Sequence, residues 1–130
     1  MKPANLKTMT VDQLVERFAE IGVAQDKSLQ EGEYWIEGYI NHELNQLFAQ
    51  MHEIDTELRS RGLDARLALR QLYHHPNTQV RLLAAKCTLG VAPVVARKVV
   101  QAIADSKLPP QAMDAGMTLS NLDKGRFKPD

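Results

Sequence analysis

The stretch from His74 to Val100, HHPNTQVRLLAAKCTLGVAPVVARKVV, constrains the fold more than any other part of the chain. It reads as one turn and two short helices. Pro76 and Asn77 supply the turn, Gly90 closes the first helix, and Pro93 opens the second at a first-turn position where no amide is missed. Helices this short cannot each hide an apolar face alone, so they must stack on neighbours. Such a unit is a scaffold element rather than a catalytic loop.

The remaining chain supplies those neighbours. Thr10 followed by Gln13 has the form of a capping box and predicts a helix from Val11. Val11, Leu14, Val15, Phe18 and Ile21 form its apolar stripe, with Gly22 also on the stripe and Asp12, Glu16, Arg17 and Glu20 outside it. This helix is expected to run to Leu29, with a weak break over Gln30–Glu33. Ile40, Leu44, Leu47, Met51, Ile54 and Leu58 then step by four and three residues, with Phe48 beside them. That heptad-like seam predicts a long helix antiparallel to the first, ended by Gly62. The seam also permits pairing between chains, as a homo-oligomer.

Asp64 is the expected cap of a third helix, with Ala65, Ala68, Leu69 and Leu72 buried. Asn77 or Thr78 caps a fourth, with Val80, Leu83, Ala84 and Cys87 inward. The fifth is expected to bury Val95, Ala96, Val99 and Ile103 and to expose Arg97, Lys98 and Gln101. Pro109 and Pro110 interrupt, and a last helix from Gln111 to about Leu122 buries Ala112, Ala115, Leu119 and Leu122. No segment alternates like a strand. The expectation is an all-α fold of about six helices with a longer N-terminal hairpin: a flexible stretch 1–9, one helical domain 10–125, and a tail 126–130 that packs through Phe127 or frays.

At this point the residues resemble a known family. HPNTQVRLLAAKCTLG followed by APVVARKVV is similar to a HEAT repeat, matching its pattern at Pro76, Val80, Arg81, Ala84, Ala85, Leu89, Gly90 and Pro93. More of the chain resembles a small bacterial family of HEAT-like proteins, through LVERFAEIGVAQ, LRSRGLDARLAL and QAMDAGMTLSNLDKGRFKP. The resemblance implies a HEAT-like right-handed α-superhelix and carries no activity. It also implies a structural role for Arg81, pairing with an acid or a carbonyl of the next helical unit. Pro76, Arg81, Gly90 and Pro93 are therefore read as structural.

One cysteine, Cys87, excludes an intrachain disulfide, and its apolar helix face makes it a small core residue. The four histidines lack metal-ligand spacing, and His52 with Asp55 lacks a third ligand. His74 and His75 sit where a helix C-terminus favours an imidazolium. No serine has an activating strand-turn-helix setting and no glycine cluster cradles phosphate. The reading is non-enzymatic, without catalytic residues, cofactor or metal.

The N-terminus has no apolar leader and no run approaches a membrane span, so the expected location is cytoplasmic. Sixteen bases balance sixteen acids, but residues 11–60 carry −8 and residues 61–130 carry +6. This asymmetry points to complementary halves or to a two-faced binding surface. Candidate partner-contacting residues are Glu43, Glu53 and Glu57 on the acidic helix and Arg66, Arg70, Arg97 and Lys98 among the basic residues, together with Lys86. Tyr34-Trp35 is a further candidate, as an exposed aromatic anchor or as core. The favoured function is binding another protein, which includes an antidote protein that blocks a toxin. The competing reading is nucleic-acid binding through the basic C-terminal half.

Overall fold

The computed structural model describes residues 5–31 and 42–130. All regular structure among them is helical: α1 (Val11–Glu31), α2 (His42–Ser60), α3 (Leu63–Leu67), α4 (Thr78–Thr88), α5 (Pro93–Ser106) and α6 (Gln111–Asp123). Short 3-10 segments occupy Leu6–Thr8 and Ala68–His74. The chain divides into two compact units, Met1–Ala68 and Leu69–Asp130. Of the weak break expected over Gln30–Glu33, Gln30 and Glu31 are helical instead; Gly32 and Glu33, like Tyr34, Trp35 and Ile40, lie outside the described residues.

In the first unit the capping box is formed. Gln13 N–H donates to Thr10 Oγ1 at 3.1 Å, and Thr10 N–H donates to Gln13 Oε1 at 2.8 Å. Two of the amides that a helix start leaves unpaired are thereby satisfied. Leu14, Val15, Phe18, Ile21 and Gly22 are buried as the stripe predicts, and α1 continues two residues past Leu29. They pack on α2, which buries Leu44, Met51, Ile54 and Leu58. Leu47 is only half-buried and Phe48 is exposed, so the seam is narrower than its apolar spacing suggests.

Two polar ties fix the antiparallel register of this hairpin. Near the end of α1, fully buried Gln25 donates to the Leu47 carbonyl of α2 at 3.2 Å. At the opposite end Arg61 donates to the carbonyls of Met9 at 2.7 Å and Leu6 at 2.8 Å, and its Nε meets Glu57 at 2.9 Å. Gly62 follows with φ of 102° and ψ of −175°, a backbone region nearly closed to other residues. It is also the N-cap of α3. Asp64 is therefore not the cap expected of it but lies inside the first turn, where its charge still favours the positive helix end.

In the second unit Asn77 caps α4, its side chain accepting from Val80 N–H at 3.2 Å. The buried face of α4 is Gln79, Val80, Leu82, Ala84, Ala85 and Thr88. Leu83 and Cys87, expected inward, are only half-buried; Leu82 takes the core position because α5 and α6 both pack on this helix. On α5 the buried residues are Ala96, Val100 and Ile103, while Val95 is 49% exposed and Val99 is half-buried. α6 buries Gln111, Ala115, Thr118 and Leu119, leaving Ala112 and Leu122 half-covered.

Polar pairs tie this unit together. Gln111 donates to Gln79 at 3.0 Å, both side chains buried, so neither amide is stranded. Thr88 gives its one hydroxyl proton to the carbonyl of Ala84, at 2.8 Å, and so accepts from the buried Tyr73 hydroxyl. Burial pushes the Tyr73 phenol above its ordinary pKa, against smaller opposing effects of Thr88 and of the Arg70 charge. Arg81 donates to the carbonyls of His75 at 2.7 Å and Pro76 at 3.2 Å, and to Thr78 Oγ1 at 3.0 Å. Its partners thus belong to the turn preceding α4, its own hairpin, not to a following unit. Pro93 is the first residue of α5.

After α6, Gly125 turns the chain at φ of 70°, and the amides of Arg126 and Phe127 both donate to the Asn121 carbonyl. The tail then runs back to Gly90, where an added Cβ would overlap the Asp130 backbone. Gly90 serves close approach of the tail; it does not have the left-handed conformation common after helices.

Three substitutions test these constraints. Arg61→Ala removes charge-assisted bonds from a side chain 24% exposed and should cost about 1–2 kcal/mol in denaturant melts. Gly90→Ala should free the tail, read as faster proteolytic removal of its last residues with α4 intact. The unfolded chain ionises Tyr73 near pH 10 whereas the fold keeps it neutral to higher pH, so its stability contribution is full below pH 10 and falls above it. Tyr73→Phe should cost about 1 kcal/mol at pH 7 and show a smaller alkaline loss than the parent chain.

Candidate functional site

The side chains singled out by charge do not all remain available. Glu43 and Glu53 are exposed on α2, but ten residues of helix, about 15 Å, separate them. Glu57 is only 15% exposed and engaged with Arg61. Glu53 and Glu57 border a wide depression that Lys7, His52, Thr56 and Ser60 also line. Arg66 is half-buried within the first unit, and Arg70 is exposed in the second.

On the second unit two of the candidate cations are paired with acids of α6. Lys86 reaches Asp114 on α6 at 2.9 Å, and Arg97 reaches Asp123 at 2.8 Å. These pairs fasten α4 and α5 to α6. Lys98, the next residue along α5, is exposed and has no acidic partner among the described residues.

Lys98 stands beside a recess of about 350 Å³ between the Tyr73–Arg81 stretch and α5. Its apolar lining comes from Tyr73, Val95, Val99, Ala102, Ile103 and Leu108. Its polar lining comes from His74, Thr78, Arg81, Lys98 and Ser106. No carboxylate among the described residues lines it. The nearest in sequence, Asp105, accepts from Gln101 at 2.9 Å.

The local sequence explains this arrangement. Val95, Val99 and Ala102 repeat the spacing of buried Ala96, Val100 and Ile103, shifted by one residue and hence turned about 100° around α5. Once the second set is buried, the first must border the groove. Val95 and Leu108, 49% and 66% exposed, are apolar surface that water covers unless something else does.

Of the candidate residues the groove therefore gathers Lys98 alone, adding the structural Arg81. Val95, Val99, Tyr73 and Leu108 were not legible as a surface from the sequence. The available signal was the doubled valines, Val94-Val95 and Val99-Val100, since adjacent residues cannot share one helix face.

Among the described residues no three His, Cys, Asp or Glu side chains form a group able to hold a metal ion. None of the described helices is long and apolar enough to cross a membrane.

A search of curated proteins finds no match. Among solved structures, the chain is similar to the crystal structure of the protein RPA1889 from Rhodopseudomonas palustris CGA009, with 47% identity and a TM-score of 0.87. That match covers 98% of this chain and 100% of the other. The family model for DUF2019, a domain of unknown function, matches residues 12–123. With most of its length matched, the chain belongs to the DUF2019 family.

Proposed function

We propose that this chain is a non-enzymatic, HEAT-like helical module of the cytoplasm that works by binding another protein, with the α5 groove as its contact surface. The observation that carries this reading is exposed apolar surface on a fixed support. Val95, Val99 and Ala102 line the recess on a helix whose adjacent register, Ala96, Val100 and Ile103, is buried. Side chains held on packed helices lose little freedom on association, so more of the contact energy appears as affinity. An antidote protein that blocks a toxin is one form such a module takes.

Nucleic-acid binding through the C-terminal half has less to work with. Lys86 and Arg97 are already engaged by Asp114 and Asp123, and the groove walls are apolar where a phosphate backbone needs cations.

Val95→Asp tests the reading, because position 95 is exposed and lies in the first turn of α5, where an acid is tolerated. Its stability should stay within about 0.5 kcal/mol of the parent. Affinity purification from the native host at low salt should yield a stoichiometric, nuclease-resistant protein partner with the parent chain and lose it with Val95→Asp. Absence of such a partner, or its retention by the variant, contradicts the proposal.

A further inference from the structure

We infer that the groove takes an acidic amphipathic peptide segment of its partner, an apolar side chain entering over Val95 and Val99 while neighbouring carboxylates meet Lys98 and Arg81. This rests on the protein-binding reading above and adds the chemistry of the bound segment.

Charge complementarity carries the inference. Two cationic side chains, Arg81 and Lys98, border an apolar recess that no acidic side chain among the described residues lines, with the His74 imidazole beside them. Elsewhere on this unit Lys86 and Arg97 reach carboxylates of α6. Lys98 and His74 make no ion pair among the described residues, and both are exposed. Arg81 satisfies donors with two carbonyls and one hydroxyl, all uncharged acceptors. A guanidinium has five N–H donors, so charge and donor capacity both remain for an incoming carboxylate. The three acceptors also hold the Arg81 side chain in place at the rim, so a carboxylate that binds there meets an oriented partner.

The apolar lining sets the rest of the requirement. A purely polar acid would leave Val95, Val99 and Leu108 wet, and a purely apolar segment would desolvate the Lys98 ammonium without a counter-charge. A segment with leucine-like and glutamate-like side chains on one face satisfies both. A basic segment would place like charges beside Lys98 and Arg81, which disfavours it by repulsion.

The probe is a short fluorescein-labelled peptide with leucines at helical spacing and interleaved glutamates, made also with every Glu as Gln and with every Glu as Lys. Fluorescence anisotropy with the full chain should show saturable binding of the Glu peptide and binding weaker by about tenfold or more for the Gln form. Lys98→Glu, an exposed change checked by its unaltered circular dichroism, should weaken the Glu peptide and strengthen the Lys peptide relative to the parent chain. Equal affinity for the Glu and Gln forms, indifference to Lys98→Glu, or no saturable binding below about 1 mM overturns the inference. If the Glu peptide fails while a Val95-dependent protein partner is recovered, only the acidic chemistry is wrong. If neither is seen, the protein-binding reading falls with it.

Discussion

The rotation of α5 about its own axis is the constraint on which the second unit depends. Ala96, Val100 and Ile103 are at most 3% exposed, and both α4 and α6 pack against this helix. Methyl-sized Ala96 allows close approach, and burying the larger pair supplies about 1.5–3 kcal/mol per side chain. No other rotation keeps that face dry. Everything else on α5 follows from it: Arg97 falls beside α6 and its Asp123, whereas Lys98 and the Val95, Val99 and Ala102 stripe fall on the groove side. An exposed apolar stripe is thus a by-product of how one helix is packed.

The charges show the same economy at a smaller scale. Exposed ion pairs such as Arg97–Asp123 contribute little stability, about 0–1 kcal/mol, because water and salt screen them. Their effect here is selective. Lys86 and Arg97 are matched by carboxylates, whereas Lys98 and Arg81, the cations at the recess, meet none among the described residues. In the first unit Arg61 works differently, its guanidinium satisfying the carbonyls of Leu6 and Met9 and holding Glu57. Glu57 read from sequence looks like an available acid, and its position i−4 from Arg61 was the sign that it is not.

Much of the fold was legible because local rules sufficed. The Thr10–Gln13 capping box, the α1 stripe, the Asn77 cap and the opening of α5 by Pro93 all follow from a few adjacent residues. Misreadings arose where the answer depended on a partner distant in sequence. Leu83 and Leu82 are equally apolar, and only the packing of α5 and α6 selects the second. Gly90 looks like a helix terminator, yet its lack of a side chain matters because the tail from Arg126 onward returns to it. Buried Gln25, Gln79 and Gln111 read as surface residues in a sequence, since nothing local reveals the carbonyl or amide that each will meet. The groove was hidden for the same reason: α5 carries two apolar registers one residue apart, and composition cannot say which is buried.

Family membership and the solved relative fix what kind of fold this is, and the α5 groove is the contact surface proposed for it. Site-specific photo-crosslinking in the native host tests this most directly, with a photoreactive residue in place of Val95 on the groove or in place of Glu53 on the acidic helix. The account predicts one protein adduct of defined mass from position 95, suppressed when Lys98→Glu is added, and none from position 53. An adduct from position 53 with none from position 95 would contradict it.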